Sequence, residues 1–140
     1  MNVYIKQIRG NSFAAKGDSN HWINLDTSEE SGGNNAGSSP MELVLMALGT
    51  CSSMDIIPIL KKKQVQVDDF EVNVSSERAT EFPKVFTKIN IEYIFYGKNI
   101  PAKDVERAIE LSLTKYCSVY AMLKNNIEIK ESYRILESRN

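Results

Sequence analysis

The stretch SPMELVLMALGTCSSMDIIPILKKK, residues 39–63, decides how the rest of the chain is read. Ser39 is suited to cap a helix and Pro40 to fill its first position, where a missing N–H costs nothing. Glu42 then closes a capping box three residues after the cap. From Leu43 to Leu48 every residue is apolar, so successive 100° steps place hydrophobic side chains around the whole circumference. Such a helix is expected to be buried on nearly every side. A small chain has few layers with which to cover it, so a second copy is expected to supply part of the wall, as an obligate homodimer. Pro58 removes the hydrogen bond to the Met54 carbonyl and is expected to kink the helix before Lys61, Lys62 and Lys63, whose charges suit a C-terminal turn.

Before this helix, VYIKQIR, SFAAK and HWINLD read as short strands of a meander, separated by the turn clusters Gly10-Asn11 and Gly17-Asp18-Ser19-Asn20. Residues 27–39 carry no large apolar side chain and read as a surface loop. After the helix, Phe70, Val72 and Val74 alternate with polar residues, as do Ile89, Ile91, Tyr93 and Phe95; both runs read as half-buried strands. The intervening SSERATEFPKV reads as a loop. A second helix opens near Pro101, and Val105, Ala108, Ile109, Ser112 and Tyr116 keep helical spacing toward Cys117. Ile127, Ile129, Tyr133 and Ile135 alternate through a last strand. The order of elements departs from the regular βαβ alternation of a doubly wound sheet and predicts an α+β fold, mostly antiparallel, packed on central helices.

At 140 residues the chain is expected to be one domain, residues 1–140. A formal net charge of −1 provides no basic field for a polyphosphate, so no nucleic acid partner is expected. The N-terminus MNVYIKQIRG has no apolar signal core, and no run of about 18 uninterrupted apolar residues occurs, so no membrane partner is expected either. A cytoplasmic location follows as the expectation. In that reducing compartment two cysteines 66 positions apart point away from a structural staple and leave a redox role open.

The single histidine, His21, leaves almost no raw material for Cys-His nucleophilic pairs or zinc sites, and SGGNNAGSSP lacks the Lys-Ser/Thr ending of a phosphate-binding loop. No metal and no cofactor are expected. What remains is Cys51 and Cys117, each read as lying on a helix. A free cysteine serves equally well as a small buried hydrophobe. A reactive one needs a cation or a helix N-terminus, and Cys51, about three turns into its helix, would need an arginine or lysine from elsewhere.

SPMELVLMALGTCSSMD together with LSLTKYCSVYAML, the Ser-Glu-Arg segment and the Pro-x-x-Phe-Thr-x-Ile strand entry resembles the OsmC/Ohr superfamily of osmotically inducible and organic-hydroperoxide-resistance proteins, and within it the YhfA-like branch. The resemblance spans essentially the whole chain. It implies an OsmC-like fold in which sheets wrap around long central helices of an intertwined homodimer. It also implies a thiol peroxidase acting on small organic hydroperoxides, recycled by an external dithiol reductant. Cys51 would be peroxidatic and Cys117 resolving, passing through a sulfenic acid to a disulfide. In the characterised reductases an arginine held by a glutamate stabilises the thiolate, and that glutamate directly follows the helix-opening proline. Here Met41 follows Pro40, and Glu42 comes one residue later, about 100° around the helix. Arg9 and Arg78 are the candidate arginines. The alternative is a dimer of the same fold that binds a lipophilic ligand, with both cysteines as core residues.

Overall fold

Ser39 and Glu42 start the long helix as their chemistry requires. The Ser39 amide donates to Glu42 Oε2 at 2.7 Å and the Glu42 amide donates to Ser39 Oγ at 3.3 Å. These bonds, the Ser39 amide foremost, hold the Glu42 carboxyl below its ordinary pKa. In the computed structural model, which describes residues 1–138, this helix α1 spans Pro40–Lys62. It runs unbroken through Pro58. The proline stands on an exposed side of the helix, next to the exposed Met54, where a carbonyl left without its N–H partner can meet solvent.

The remaining elements are β1 (Val3–Arg9), β2 (Ser12–Gly17), β3 (Trp22–Leu25), β4 (Asp69–Arg78), β5 (Phe86–Tyr96), α2 (Ala102–Leu111), α3 (Ser118–Leu123) and β6 (Glu128–Leu136). The architecture is α+β, with two three-stranded sheets, β1-β2-β3 and β4-β5-β6. Contacts divide the chain into two units, one ending at Val44 and the other beginning at Leu45.

In the first unit β1, β2 and β3 form the expected antiparallel meander. The loop after it lies at the surface as expected, yet it is not left without order. Asp26 is 2% exposed and accepts from Ser12 Oγ (2.6 Å) and from the amides of Thr27 (2.7 Å), Ala36 (3.1 Å) and Asn34 (3.2 Å). These donors, Ser12 first, lower the Asp26 pKa. One carboxylate thus does for residues 27–36 what apolar burial cannot.

In the second unit β4 and β5 pair antiparallel in a long ladder that carries the strand to Arg78, through Ser75, Ser76 and Glu77, which had read as loop. β6 pairs with β5 in parallel, so α2 and α3 form a crossover between them. The sheet is still antiparallel at its other edge. Register puts Val72, Tyr93 and Tyr133 side by side, and Phe70, Phe95 and Ile135 next to them. This face is apolar and lies under the helices. The opposite face carries a polar cluster, with Glu92 accepting from Asn73 (3.2 Å) and paired with Arg134 (2.9 Å), beside the buried Ile94 and Tyr96.

Within this unit α1 buries Leu48, Gly49, Ser52, Ile56 and Leu60, one stripe at helical spacing. Gly49 permits close approach, because a Cβ there would sit 3.0 Å from Val74 Cγ2. The other side of α1 is open: Met46, Ala47, Thr50, Met54 and Pro58 are exposed. Burial on nearly every side is therefore not reached within one chain. By length and composition alone α1 would qualify as a bilayer span, yet Leu48, Ser52, Ile56 and Leu60 are buried in protein.

The helix expected to reach Cys117 stops short of it. α2 passes into a π-turn over Ser112–Tyr116, closed by the Cys117 amide donating to the Ser112 carbonyl at 2.7 Å. Cys117 then adopts an extended conformation (φ −69°, ψ 101°) and caps α3. The wider turn shifts the buried face by one residue, so Tyr116 is exposed and Cys117 is buried, the reverse of what uninterrupted α-helical spacing predicts.

Candidate active site

Cys51 is carried on α1, one residue before the buried stripe position Ser52, and is half-buried. Cys117 is 2% exposed. The two side chains are neighbours, near enough for Cys51 to act on the Cys117 thiol, and both are free thiols. The elements that bring them together are fastened by polar side chains next to the pair. Tyr93 on β5 donates its hydroxyl to Ser52 Oγ at 2.9 Å. Ser52 Oγ lies 3.0 Å from the Gly49 carbonyl and 3.1 Å from the Leu48 carbonyl, closing back on its own helix. Ser112 Oγ lies 3.1 Å from the Ser52 carbonyl and 3.2 Å from Asp55 Oδ2, which ties the π-turn to α1. Each buried hydroxyl is thereby satisfied, and the π-turn cannot move without breaking these bonds.

The electrostatics divide the labour between the thiols. Burial pushes the Cys117 thiol up to about 11; the Tyr120 amide, donating to its sulfur at 3.4 Å, opposes this, while contact with Cys51 and the Asp55 carboxylate add to it. At neutral pH Cys117 is a protonated thiol. Burial likewise pushes Tyr93 up to about 12, so its hydroxyl keeps the proton that it donates to Ser52. Cys51 is the more accessible of the two sulfurs and the one able to meet a reactant from solvent.

Glu42 is placed in the capping box of α1. Arg78, at the end of β4, is exposed and donates Nε to the Lys84 carbonyl at 2.8 Å across the β4–β5 connection. Arg9 ends β1 in the other unit, exposed, at a shift in the β1–β2 register. Arg107 and Arg134 are engaged by Glu110 and Glu92. The groups that act electrostatically on Cys117 include Cys51 and the Asp55 carboxylate, both on α1.

Ser52, Asp55, Tyr93 and Ser112 did not stand out in the sequence. Asp55 carried a usable signal: it is the only acid in α1 beyond the first turn, and four residues after Cys51 it occupies the same helix face. The serines had none, since a small residue at a buried helical position reads as packing.

A family model described as OsmC-like protein matches residues 32–132. Protein YhfA of Escherichia coli K12 is 40% identical over 136 residues, 97% of this chain and 98% of its own length. A hypothetical protein of Aquifex aeolicus VF5 superposes with a TM-score of 0.86 at 33% identity, covering 99% of this chain and 97% of the other. The organic hydroperoxide resistance protein OhrB of Bacillus subtilis shares the fold at a TM-score of 0.63 and 14% identity, covering 95% of this chain and 96% of the other.

Proposed function

Because the chain belongs to the OsmC-like family, we propose that it is a thiol-dependent peroxidase reducing organic hydroperoxides, with Cys51 peroxidatic and Cys117 resolving. The observation that carries this reading is the contact between an accessible Cys51 and a buried, protonated Cys117. The Cys51 thiolate attacks one peroxide oxygen, the O–O bond breaks, and the alkoxide leaves as an alcohol after taking a proton. Cys51 is then a sulfenic acid, and Cys117 displaces its hydroxyl as water to form the disulfide. An external dithiol returns both sulfurs to thiols. Neighbours bearing the name organic hydroperoxide resistance protein support the substrate class.

The decisive experiment counts thiols. Fully reduced protein, mixed with one equivalent of cumene hydroperoxide and then denatured, is expected to lose both titratable thiols and one equivalent of peroxide together. Retention of both thiols would defeat the proposal. It would favour the second reading, a binder of a lipophilic ligand with both cysteines as core residues.

The open side of α1 and the wholly exposed β1, which presents Val3, Tyr4, Ile5 and Ile8, are more apolar surface than a lone chain tolerates well. A second copy covering them makes the homodimer part of this proposal, with the partner supplying the cation, Arg9 or Arg78, that a Cys51 thiolate needs. Light scattering on eluted protein is expected to give twice the chain mass down to micromolar concentration. A monomer mass there refutes the dimer.

A further inference from the structure

Resolution poses a chemical difficulty that the structure states directly. Cys117 must lose its proton as it attacks, yet burial leaves only about one molecule in 10⁴ as thiolate at pH 7. The leaving hydroxide must also gain a proton. The single histidine, His21, belongs to the other unit. The titratable groups around Cys117 are Cys51 and Asp55 on α1, Tyr93 on β5 and Tyr120 on α3, whose amide donates to its sulfur, with Glu131 on β6 acting on the two phenols. The phenols of Tyr93 and Tyr120 both have raised pKa values through burial, so neither is a base. Asp55 remains.

Its placement fits the task. Asp55 stands one turn after Cys51, so its side chain shares that face with the sulfur that would carry the sulfenic hydroxyl. Its Oδ2 lies 3.2 Å from Ser112 Oγ, at the residue whose carbonyl accepts the Cys117 amide. A carboxylate held between the helix of one sulfur and the turn of the other has no ion-pair partner among the described residues. Its hydrogen-bonding neighbour is a hydroxyl.

We propose that Asp55 is the proton acceptor of the resolving step. As the Cys117 sulfur forms its bond to Cys51, the thiol proton passes to the Asp55 carboxylate and on to the departing hydroxide. The S–O bond breaks, water leaves, and the carboxylate is regenerated. The Cys51 sulfur is reduced, the Cys117 sulfur is oxidised, and no free Cys117 thiolate has to accumulate. This rests on the peroxidase reading for the sulfenic acid but not for the proton transfer, because a mixed disulfide at Cys51 poses the same demand at Cys117.

The test uses both routes on the full chain, comparing wild type with Asp55→Asn and Asp55→Glu, each verified as folded by circular dichroism. In the first arm, reduced protein receives cumene hydroperoxide, dimedone traps the sulfenic acid, and mass spectrometry follows the disulfide. In the second, oxidised glutathione loads Cys51 and release of the second glutathione is timed. Asp55→Asn is expected to slow closure of the Cys51–Cys117 bond about 100-fold in both arms. Its closure rate is expected to climb about tenfold per pH unit from 7 to 9, as Cys117 ionises, and there to meet the wild-type rate, which is nearly flat over that range. Asp55→Glu is expected to restore closure to within about tenfold with the wild-type pH profile. Closure by Asp55→Asn within about threefold of wild type, or a slow Asp55→Asn rate with no pH dependence, overturns the proposal. So does a wild-type protein that closes the bond by neither route. Wild-type protein that ignores peroxide but closes the glutathione adduct with this dependence on Asp55 defeats the peroxidase reading and leaves the proton acceptor standing.

Discussion

Cys51→Ser is expected to lower peroxide consumption by on the order of a thousandfold, to the level of buffer, whereas Cys117→Ser still consumes the first equivalent. The asymmetry follows from exposure and ionisation. Cys51 is half-buried and reachable, while Cys117 is sealed and protonated. With Cys117 removed, the Cys51 sulfenic acid has no partner sulfur, and excess peroxide drives it to the sulfinic acid, a gain of two oxygens over the thiol that mass spectrometry reads directly. Turnover with dithiothreitol then fails after few cycles. The opposite pattern, an inert Cys117→Ser beside an active Cys51→Ser, would reverse the roles; equal activity of both with wild type would remove the cysteines from the chemistry.

Phe95→Ala is expected to destabilise the fold by about 3–5 kcal/mol, the largest effect foreseen for a residue away from the sulfurs. Phe95 is fully buried near the end of the central strand β5, with Phe70 across the ladder at a ring-centroid distance of 4.9 Å and Ile135 opposite on β6. A strand held on both sides cannot shift to refill the space, so a cavity replaces the ring. Urea unfolding is expected to show a midpoint lowered with unchanged slope. A loss under about 1 kcal/mol would mean that this face of the sheet repacks freely, and the rigid support ascribed to Tyr93, two residues away, would fail with it.

What could be read in advance was what neighbours in sequence decide. Ser39, Pro40 and Glu42 define a helix start by contacts within four residues, and Ile89 to Phe95 define a strand by alternation; both hold. The direction in which β6 pairs with β5 leaves no mark on the alternation of Ile129, Tyr133 and Ile135, so the parallel edge was invisible. Asp26 read as the last residue of the strand HWINLD, and its role stayed hidden because the amides that surround it come from residues up to ten positions away. Cys51 and Cys117 were singled out by motif, but their mutual contact depends on a change of helix type that no single residue announces. Asp55 shares a helix face with Cys51, but its value lies in what α2 and the turn after it bring to that face, which spacing within α1 does not show.

The π-turn after α2 also fixes a rotational phase. In a regular α-helix, five residues advance the chain by about 500°, so Cys117 would point about 140° away from Ser112. The bond from the Cys117 amide to the Ser112 carbonyl instead fits one more residue into the turn and brings residue 117 back toward the side fastened to α1. The sulfur–sulfur meeting therefore depends on how many residues separate Ser112 from Cys117 more than on which ones they are. Thr114 and Lys115, both exposed, are free to vary in kind. Shortening the segment by one would leave every side chain of the site in the sequence and turn one sulfur out of reach of the other.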